Sequence, residues 1–521
     1  MPSTSHFNAG DWAIIVAYLL GVIALGVWFG KDQRNTRDYF LGSRNIAWWG
    51  IGLSIVAAET SALTIIGVPA MAYGTNLVFI QMVIGYVIAR LMLAVVMVPH
   101  YFKGEIYSPY QLFADTLGPE ARQTAGGFFL ISETLAAGVR VYLAGIPVQL
   151  MLGLDVLPAI VLFVVLSLVY TYIGGVKAVI WTDALQFGLF LIGGIFAIAY
   201  IPTLVEGGWS GVFAKAAEGG KLQWLNTNLD AATEGGFWKF LQASLASPFN
   251  IWMGVIGGTF VTMSSHGAEQ LIVQRVLACK NVADGRKALV LSAVLILPLF
   301  LIFLIAGAML WVFYQTHPFQ IAIPTVKPGS GIKANDYIFP IFMMTEVPHL
   351  LRGFLIVAIL SAAMSSVSSA LTSLASVSTM DFVKGRHGKR SEEFYLRFSK
   401  YSTVAWAVAL IVVAYLSRQV EFVLNAAFSL RGLTSGALLG GLLLAVFRRR
   451  GGPWPVVIGM CASLAVMTAI QTLPRMDWSK AAWAAIIGPE IFWPWFTLIG
   501  TVITLTTALA VEAVTARRST Q

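Results

Sequence analysis

The stretch "IAWWGIGLSIVAAETSALTIIGVPAMAYG", residues 46–74, has the length and apolarity of a membrane span. Yet it carries Glu59, Thr60, Ser61 and Thr64 near its midpoint, followed by Gly67 and Pro69. A carboxylate at that depth is costly, and irregular backbone inside a bilayer is tolerated only where it is packed in protein or lines a cavity. The segment therefore reads as a helix broken at its centre. A second stretch has the same character. "GVIGGTFVTMSSHGAEQ", residues 254–270, combines Gly257, Gly258 and Gly267 with Thr262, Ser264, Ser265 and His266.

The rest of the chain supports a membrane setting. Of 521 residues, 57% are hydrophobic and only 11% charged, and mean hydropathy is +0.77; a soluble domain carries about 25% charged residues. Apolar runs near the roughly 20 residues a span requires fall at 11–30, 46–73, 76–98, 124–153, 155–174, 177–203, 246–273, 286–314, 350–379, 398–417, 420–447, 454–473 and 490–514. That is about thirteen transmembrane helices in an all-α integral membrane protein. "MPSTSHFNAGDW" at the start lacks Lys, Arg and a clear cleavage site, so the first run reads as a retained span rather than a signal peptide. Cys279 and Cys461 lie in or beside different apolar runs and suggest neither a disulfide framework nor a metal site.

The net charge of +9 is a topology signal and calls for no nucleic-acid partner. Lys31, Arg34, Arg37 and Arg44 follow the first run, Lys103 and Arg122 the third, and Lys177 the fifth. Arg275, Lys280, Arg286 and Lys287 follow the seventh, with "KGRHGKR", "FRRRGG" and "ARRSTQ" after the ninth, eleventh and last. All these clusters fall on one side, which places the N-terminus outside and the C-terminus in the cytoplasm.

The two interrupted spans lie five spans apart, and each opens a block of five. An odd number of spans per block inverts one block relative to the other, the arrangement that builds alternating access around a midplane site. The expected organisation is an extra helix and cytoplasmic loop (1–45), a first five-helix repeat (46–203), an outside loop (204–245), a second, inverted repeat (246–447), and two further helices with a short tail (448–521).

Within the ninth run stands "AAMSSVSSALTS", residues 362–373. On a helix Ala362, Ser365, Ser366 and Ser369 share one face, with Ser368 and Thr372 beside it. Such hydroxyls either permit close helix packing or supply oxygens to a monovalent cation, for which neutral ligands suffice. Carbonyls freed at a broken helix would complete the shell.

The stretches "SSVSSALTSLASVSTMDF" (365–382), "GGVKAVIWTDALQ" (174–186), "AAETSALTIIGVPAMAYG" (57–74) and "EQLIVQRVLACK" (269–280) resemble the sodium/solute symporter family, which includes sodium/glucose, proline and sialic acid cotransporters. The resemblance implies a five-plus-five inverted-repeat transporter fold with Na+ as the coupling ion. It also implies a main sodium site of Ala57 and Thr60 carbonyls with Ala362, Ser365 and Ser366. In some members the equivalents of Asp183, Ser365, Ser368 and Ser369 hold a second sodium. By the same resemblance Thr64, Phe79, Gln81, Thr262 and Ser265 face the substrate cavity, and Leu63 and Thr64 stand where sodium/glucose transporters carry a charged and amide pair, which disfavours a plain hexose.

Several residues admit two readings. Asp183 is a sodium ligand or gate, or a solvated acid at a helix end. Glu59 pairs with Arg140, senses protons, or bonds to substrate. Arg140 shares a helical face with Glu133 seven residues earlier; it either pairs there or receives a substrate carboxylate bidentately, as a similar arginine does in sialic acid transporters. Arg431 is a buried cation with a gating or structural role, and His266 is a cavity hydrogen-bonder or a proton relay. Ser61 adds a hydroxyl to the cavity.

These residues point to a secondary active symporter that imports a small polar solute, such as a sugar, sugar acid or other carboxylate, with sodium by alternating access. It is expected to act as a monomer in the cell membrane. The alternative is a proton-coupled or uncoupled carrier of the same fold. An enzyme is disfavoured, because the chain has no HExxH, GxSxG or paired intramembrane aspartate motif.

Overall fold

The computed structural model describes residues 7–31, 33–60, 63–323, 335–385, 390–419, 423–448, 452–488 and 490–519. Among them the chain is helical throughout, with no strand. Among the described residues nine helices are long and apolar enough to cross a membrane, or ten when the broken pair is taken as one span.

The break in the first pair lies where its residues place it. Helix α2 (Trp48–Glu59) stops at Thr60, whose ψ of 85° leaves the helical region. A π-turn over Leu63–Gly67 leads into α3 (Val68–Gly74), with Pro69 in its first turn, where a missing N–H costs nothing. The two halves are bent by 59°. Ser61 lies outside the described residues. The second interrupted stretch behaves alike: a π-turn over Met253–Gly257 opens α7 (Gly258–Gly267), and Glu269, in extended backbone, begins α8 (Gln270–Leu277).

The other long helices are α1 (Ala9–Gly30), α4 (Ile80–Val96), α5 (Pro119–Leu152), α6 (Val156–Tyr200), α9 (Val282–Thr316), α10 (Leu351–Val377), α11 (Glu392–Leu416), α12 (Val423–Phe447), α13 (Pro453–Thr472) and α14 (Phe496–Ser519). Helix α6 joins the two runs expected at 155–174 and 177–203. Its 45 residues are far more than one crossing needs, and Gly175, at φ 54° and ψ −158°, interrupts it between those runs. Only a residue without Cβ adopts that backbone readily. A methyl there would also press on the Tyr39 carbonyl at 2.7 Å.

The Ser-rich helix α10 is the centre of the molecule. In its most apolar window 94% of residues are buried, against 17% for α1, which faces outward. Asp11 of α1 caps the start of α10, accepting from Leu350 N–H at 2.7 Å and Gly353 N–H at 3.1 Å. Those donors have no partner within their own helix, and an anion there also suits the helix dipole. At the other end of the bundle the loops that carry cations meet. Thr36 donates to Glu392 at 2.8 Å, Lys384 pairs with Glu392 at 2.6 Å, Arg122 with Asp381 at 2.7 Å, and Arg44 reaches the Ile106 carbonyl at 2.9 Å. Arg275 departs from that pattern. Counted among the loop cations by its position in the chain, it is 1% exposed and lies inside the protein.

Candidate substrate cavity and sodium shell

A cavity of about 90 Å³ opens beside the break after α2. Glu59, Thr64, Phe79, Arg140, Thr262, Ser265, His266 and Arg431 all line it, although they come from α2, the π-turn, α4's approach, α5, α7 and α12. One wall is aromatic: Phe79 lies 4.8 Å from Phe249 and 5.7 Å from Phe300, ring centre to ring centre, and Tyr86 and Trp493 extend it. The other wall is charged.

Its ions are Glu59, Arg140, Glu269 and Arg431, and each belongs to an acid–base pair. Glu59 binds Arg90, Glu133 binds Arg140, and Glu269 binds Arg431. The partner of Glu59 is thus Arg90 of α4 rather than Arg140. Buried ions persist only when neutralised by neighbours, and here each is. Arg140 spends Nη2 on Glu133 and Nε on the Ala136 carbonyl, 3.3 Å away. A guanidinium has five N–H donors, so Arg140 keeps donors for a solute while remaining paired. His266 Nε2 lies 3.6 Å from Glu59, and its Nδ1 lies 2.8 Å from the Ser265 hydroxyl.

Gln81, expected at the cavity, is held by backbone groups instead. Its amide donates to the Phe249 carbonyl at 2.7 Å and to Val78 at 3.1 Å, while its oxygen accepts from Asn226 N–H at 3.2 Å. A buried amide saturated by three backbone groups is a staple for the loop that covers α4. Arg90, Glu269, Tyr86 and Trp493 were not singled out by sequence. Glu269 could have been, since it is a carboxylate next to a glycine-rich break.

The expected main sodium shell is buried throughout. Ala57, Thr60, Ala362 and Ser365 are fully enclosed and Ser366 nearly so, on helices α2 and α10, which pack against each other. Thr60 Oγ1 is buried without a hydrogen-bond partner among the described residues, an unmet demand that a bound cation or solute would satisfy. Ser366 Oγ donates to the Ala362 carbonyl at 3.1 Å, so its lone pairs stay available. Among the described residues no group of three or more His, Cys, Asp or Glu could hold a metal ion.

Asp183 is not solvated. It is fully buried, and its oxygens accept from Ser54 at 2.6 Å, Ser365 at 2.6 Å and Arg275 at 2.8 Å. Ser368 and Ser369 both donate to the Ser365 carbonyl, at 3.0 and 2.6 Å.

Known proteins resemble this chain over most of its length. The profile of the sodium:solute symporter family matches residues 39–459. The sodium/sialic acid symporter SiaT of Proteus mirabilis is 28% identical over 477 residues, covering 89% of this chain and 90% of its own. The human sodium/iodide cotransporter is 27% identical, covering 88% and 69%, and mouse sodium-coupled monocarboxylate transporter 1 is 26% identical, covering 90% and 75%. Among solved structures, the substrate-bound outward-open state of a Na+-coupled sialic acid symporter superposes with a TM-score of 0.83 at 25% identity, covering 98% of each chain. The nucleobase-cation-symport-1 family transporter MHP1 in a closed conformation shares the fold at a TM-score of 0.54 and 14% identity, covering 91% of this chain and 94% of its own.

Proposed function

We propose, because the chain belongs to the sodium:solute symporter family, that its cargo is a small hydroxylated carboxylate such as a sugar acid or hydroxy acid. Sodium-coupled solute symport is its transport class. The observation that carries the choice of cargo is Arg140, a guanidinium that faces the cavity while already neutralised by Glu133. The named cargoes of the relatives, sialic acid, iodide and monocarboxylates, are all anions, which favours the same reading. Thr64, Thr262 and Ser265 add hydroxyl-bearing side chains to the cavity lining.

The charge arrangement also supplies a reason for coupling. With every ion of the charged wall paired, a carboxylate entering alone would leave the cavity with net negative charge. Sodium at Ala57, Thr60, Ala362, Ser365 and Ser366 restores neutrality. Two opposite unit charges at an effective dielectric near 20 attract by about 4 kcal/mol at 4 Å and roughly half that at twice the distance. Each ligand should therefore raise the other's affinity by roughly tenfold or more, and by the same factor in both directions.

The finer architecture we assign is the five-plus-five inverted repeat with thirteen helices. The breaks at Thr60 and at Ala268–Glu269, and the interruption at Gly175, support it. The meeting of the cationic loops at one end supports an outside N-terminus and a cytoplasmic C-terminus in the cell membrane. The domain limits given above follow from it, and we assign a monomer as the working unit. The test of the cargo is binding to purified protein of N-acetylneuraminate and of lactate, each against its uncharged amide, in sodium and in choline chloride. Preference for the acid in sodium alone supports the reading; equal binding of acid and amide overturns it.

A further inference from the structure

Two lysines at the end where the cationic loops meet differ from other cations there. Arg37 pairs with Glu105 at 3.1 Å, Arg122 with Asp381 at 2.7 Å and Lys384 with Glu392 at 2.6 Å. Arg286 is spent on the carbonyls of Ala94 and Val95, at 3.0 and 3.5 Å. Among the described residues Lys177 and Lys287 have neither a carboxylate nor a carbonyl partner, and each faces an aromatic ring. Lys177 Nζ lies 5.6 Å from the centre of the Phe29 ring, and Lys287 Nζ lies 5.9 Å from that of Trp48. A ring face attracts an ammonium through its quadrupole but leaves the net charge uncancelled.

The rings join the two lysines into one strip. Phe29 of α1 stacks on Trp181 of α6, with centres 6.4 Å apart, and Trp181 meets Trp49 of α2 edge to face at 5.1 Å. Phe29 stands at the end of α1, Trp48 begins α2, Lys177 follows the interruption of α6 at Gly175, and Lys287 lies near the start of α9. All four positions are ends of apolar segments, the depth at which aromatic side chains meet lipid headgroups. The strip is open to its surroundings: Trp49 is 45% exposed, Lys287 is exposed, and the other four are half-buried.

We propose that this strip binds one anionic phospholipid of the leaflet at that end, its acidic headgroup drawn to Lys177 and Lys287 and its upper acyl chains laid against the rings. Charge complementarity selects the occupant. A zwitterionic headgroup would bring an ammonium of its own towards two uncancelled lysines, whereas an acidic one brings only the opposite charge. Basic pockets between helices recognise acidic headgroups on this principle. One lipid seated there touches α1, α2, α6 and α9 together, so it should also stabilise their packing. The inference uses only the lipid-facing surface and is independent of the cargo and of the coupling ion.

Native mass spectrometry of the full-length protein in detergent, titrated with dioleoylphosphatidylglycerol or dioleoylphosphatidylcholine, tests it. Wild type should bind one phosphatidylglycerol about tenfold more tightly than phosphatidylcholine, and that lipid should raise its melting temperature. Lys177→Gln and Lys287→Gln should each weaken phosphatidylglycerol binding by about fivefold, the factor that one lysine near an acidic lipid contributes. Neither should change binding of phosphatidylcholine, and Lys177→Arg and Lys287→Arg should bind both lipids as wild type does. Arg397→Gln removes the same charge at the same end, from a side chain 72% exposed and paired with Glu393, and should change nothing. Equal affinity of wild type for the two lipids assigns the strip to bulk lipid and overturns the proposal. A loss in Arg397→Gln equal to that in Lys177→Gln assigns the attraction to net charge and also overturns it. If Lys177→Gln does not fold, Lys287→Gln decides alone: the predicted loss supports the site, and unchanged binding overturns it.

Discussion

Ser365 donates its hydroxyl proton to Asp183 Oδ1 at 2.6 Å, and that direction leaves both hydroxyl lone pairs free for a cation on the other side. A hydroxyl has one proton to give and two lone pairs. On the sodium shell proposed above, the acid prepares Ser365 as a ligand without needing to touch the ion itself.

Ser365→Ala and Ser366→Ala should each raise the sodium concentration that half-saturates uptake by about tenfold, since each removes one oxygen from a small neutral shell worth roughly 1–2 kcal/mol per bond. Ser365→Ala should also lower thermal stability, because it takes a donor from a buried carboxylate, whereas Ser366→Ala should not. Sodium titration of uptake in proteoliposomes and melting of the purified variants check both. Wild-type sodium dependence in the two variants would remove this stretch from the ion site.

Arg140→Ala should weaken acid binding by at least about tenfold, the loss of one desolvated charge-assisted contact. Arg140→Lys should rescue poorly, because an ammonium lacks the planar fork. The comparison of acid with amide tells recognition from architecture. If Arg140→Ala lowers binding of both by the same factor, and Glu133→Gln restores it, the pair is structural only.

Glu59→Gln should destabilise the fold by about 3–5 kcal/mol, since it strands Arg90, which is fully buried. Combining it with Arg90→Leu should recover more than half. Melting of the single and double variants in one detergent measures this, and additive losses would contradict the pairing.

Outside the spans, burial pushes the Asp336 carboxyl up to about 6. A carboxyl whose value is raised on folding binds more protons in the folded state, so its contribution to stability falls as pH rises from about 4 to 6. Asp336→Asn should therefore melt higher than wild type at pH 7.5 and no higher at pH 4.5. An equal difference at both would contradict the assignment.

What could be read from sequence follows the range of the physics involved. The broken helices and the Ser-rich helix were legible because a polar residue in an apolar run signals locally. Arg140 with Glu133 was legible because seven residues of one helix put them on one face. Arg90 with Glu59 was not: the two lie 31 positions apart on different helices, and an arginine inside "GYVIARLMLAVV" shows no partner. Gln81 has the chemistry of a cavity residue, and only the fold shows that loop backbone consumes it. Arg275 looked like a loop cation because it follows an apolar run. Its burial depends on a short helix turning back into the protein after Glu269, which no local pattern announces.

Coupled uptake tests the central claim most directly. The full chain in proteoliposomes, given radiolabelled N-acetylneuraminate or lactate and an inward sodium gradient, should accumulate one of them above the outside concentration. That accumulation should collapse when sodium is equal on both sides or replaced by choline. Accumulation that persists in choline under an inward proton gradient, and ignores sodium, would contradict sodium symport.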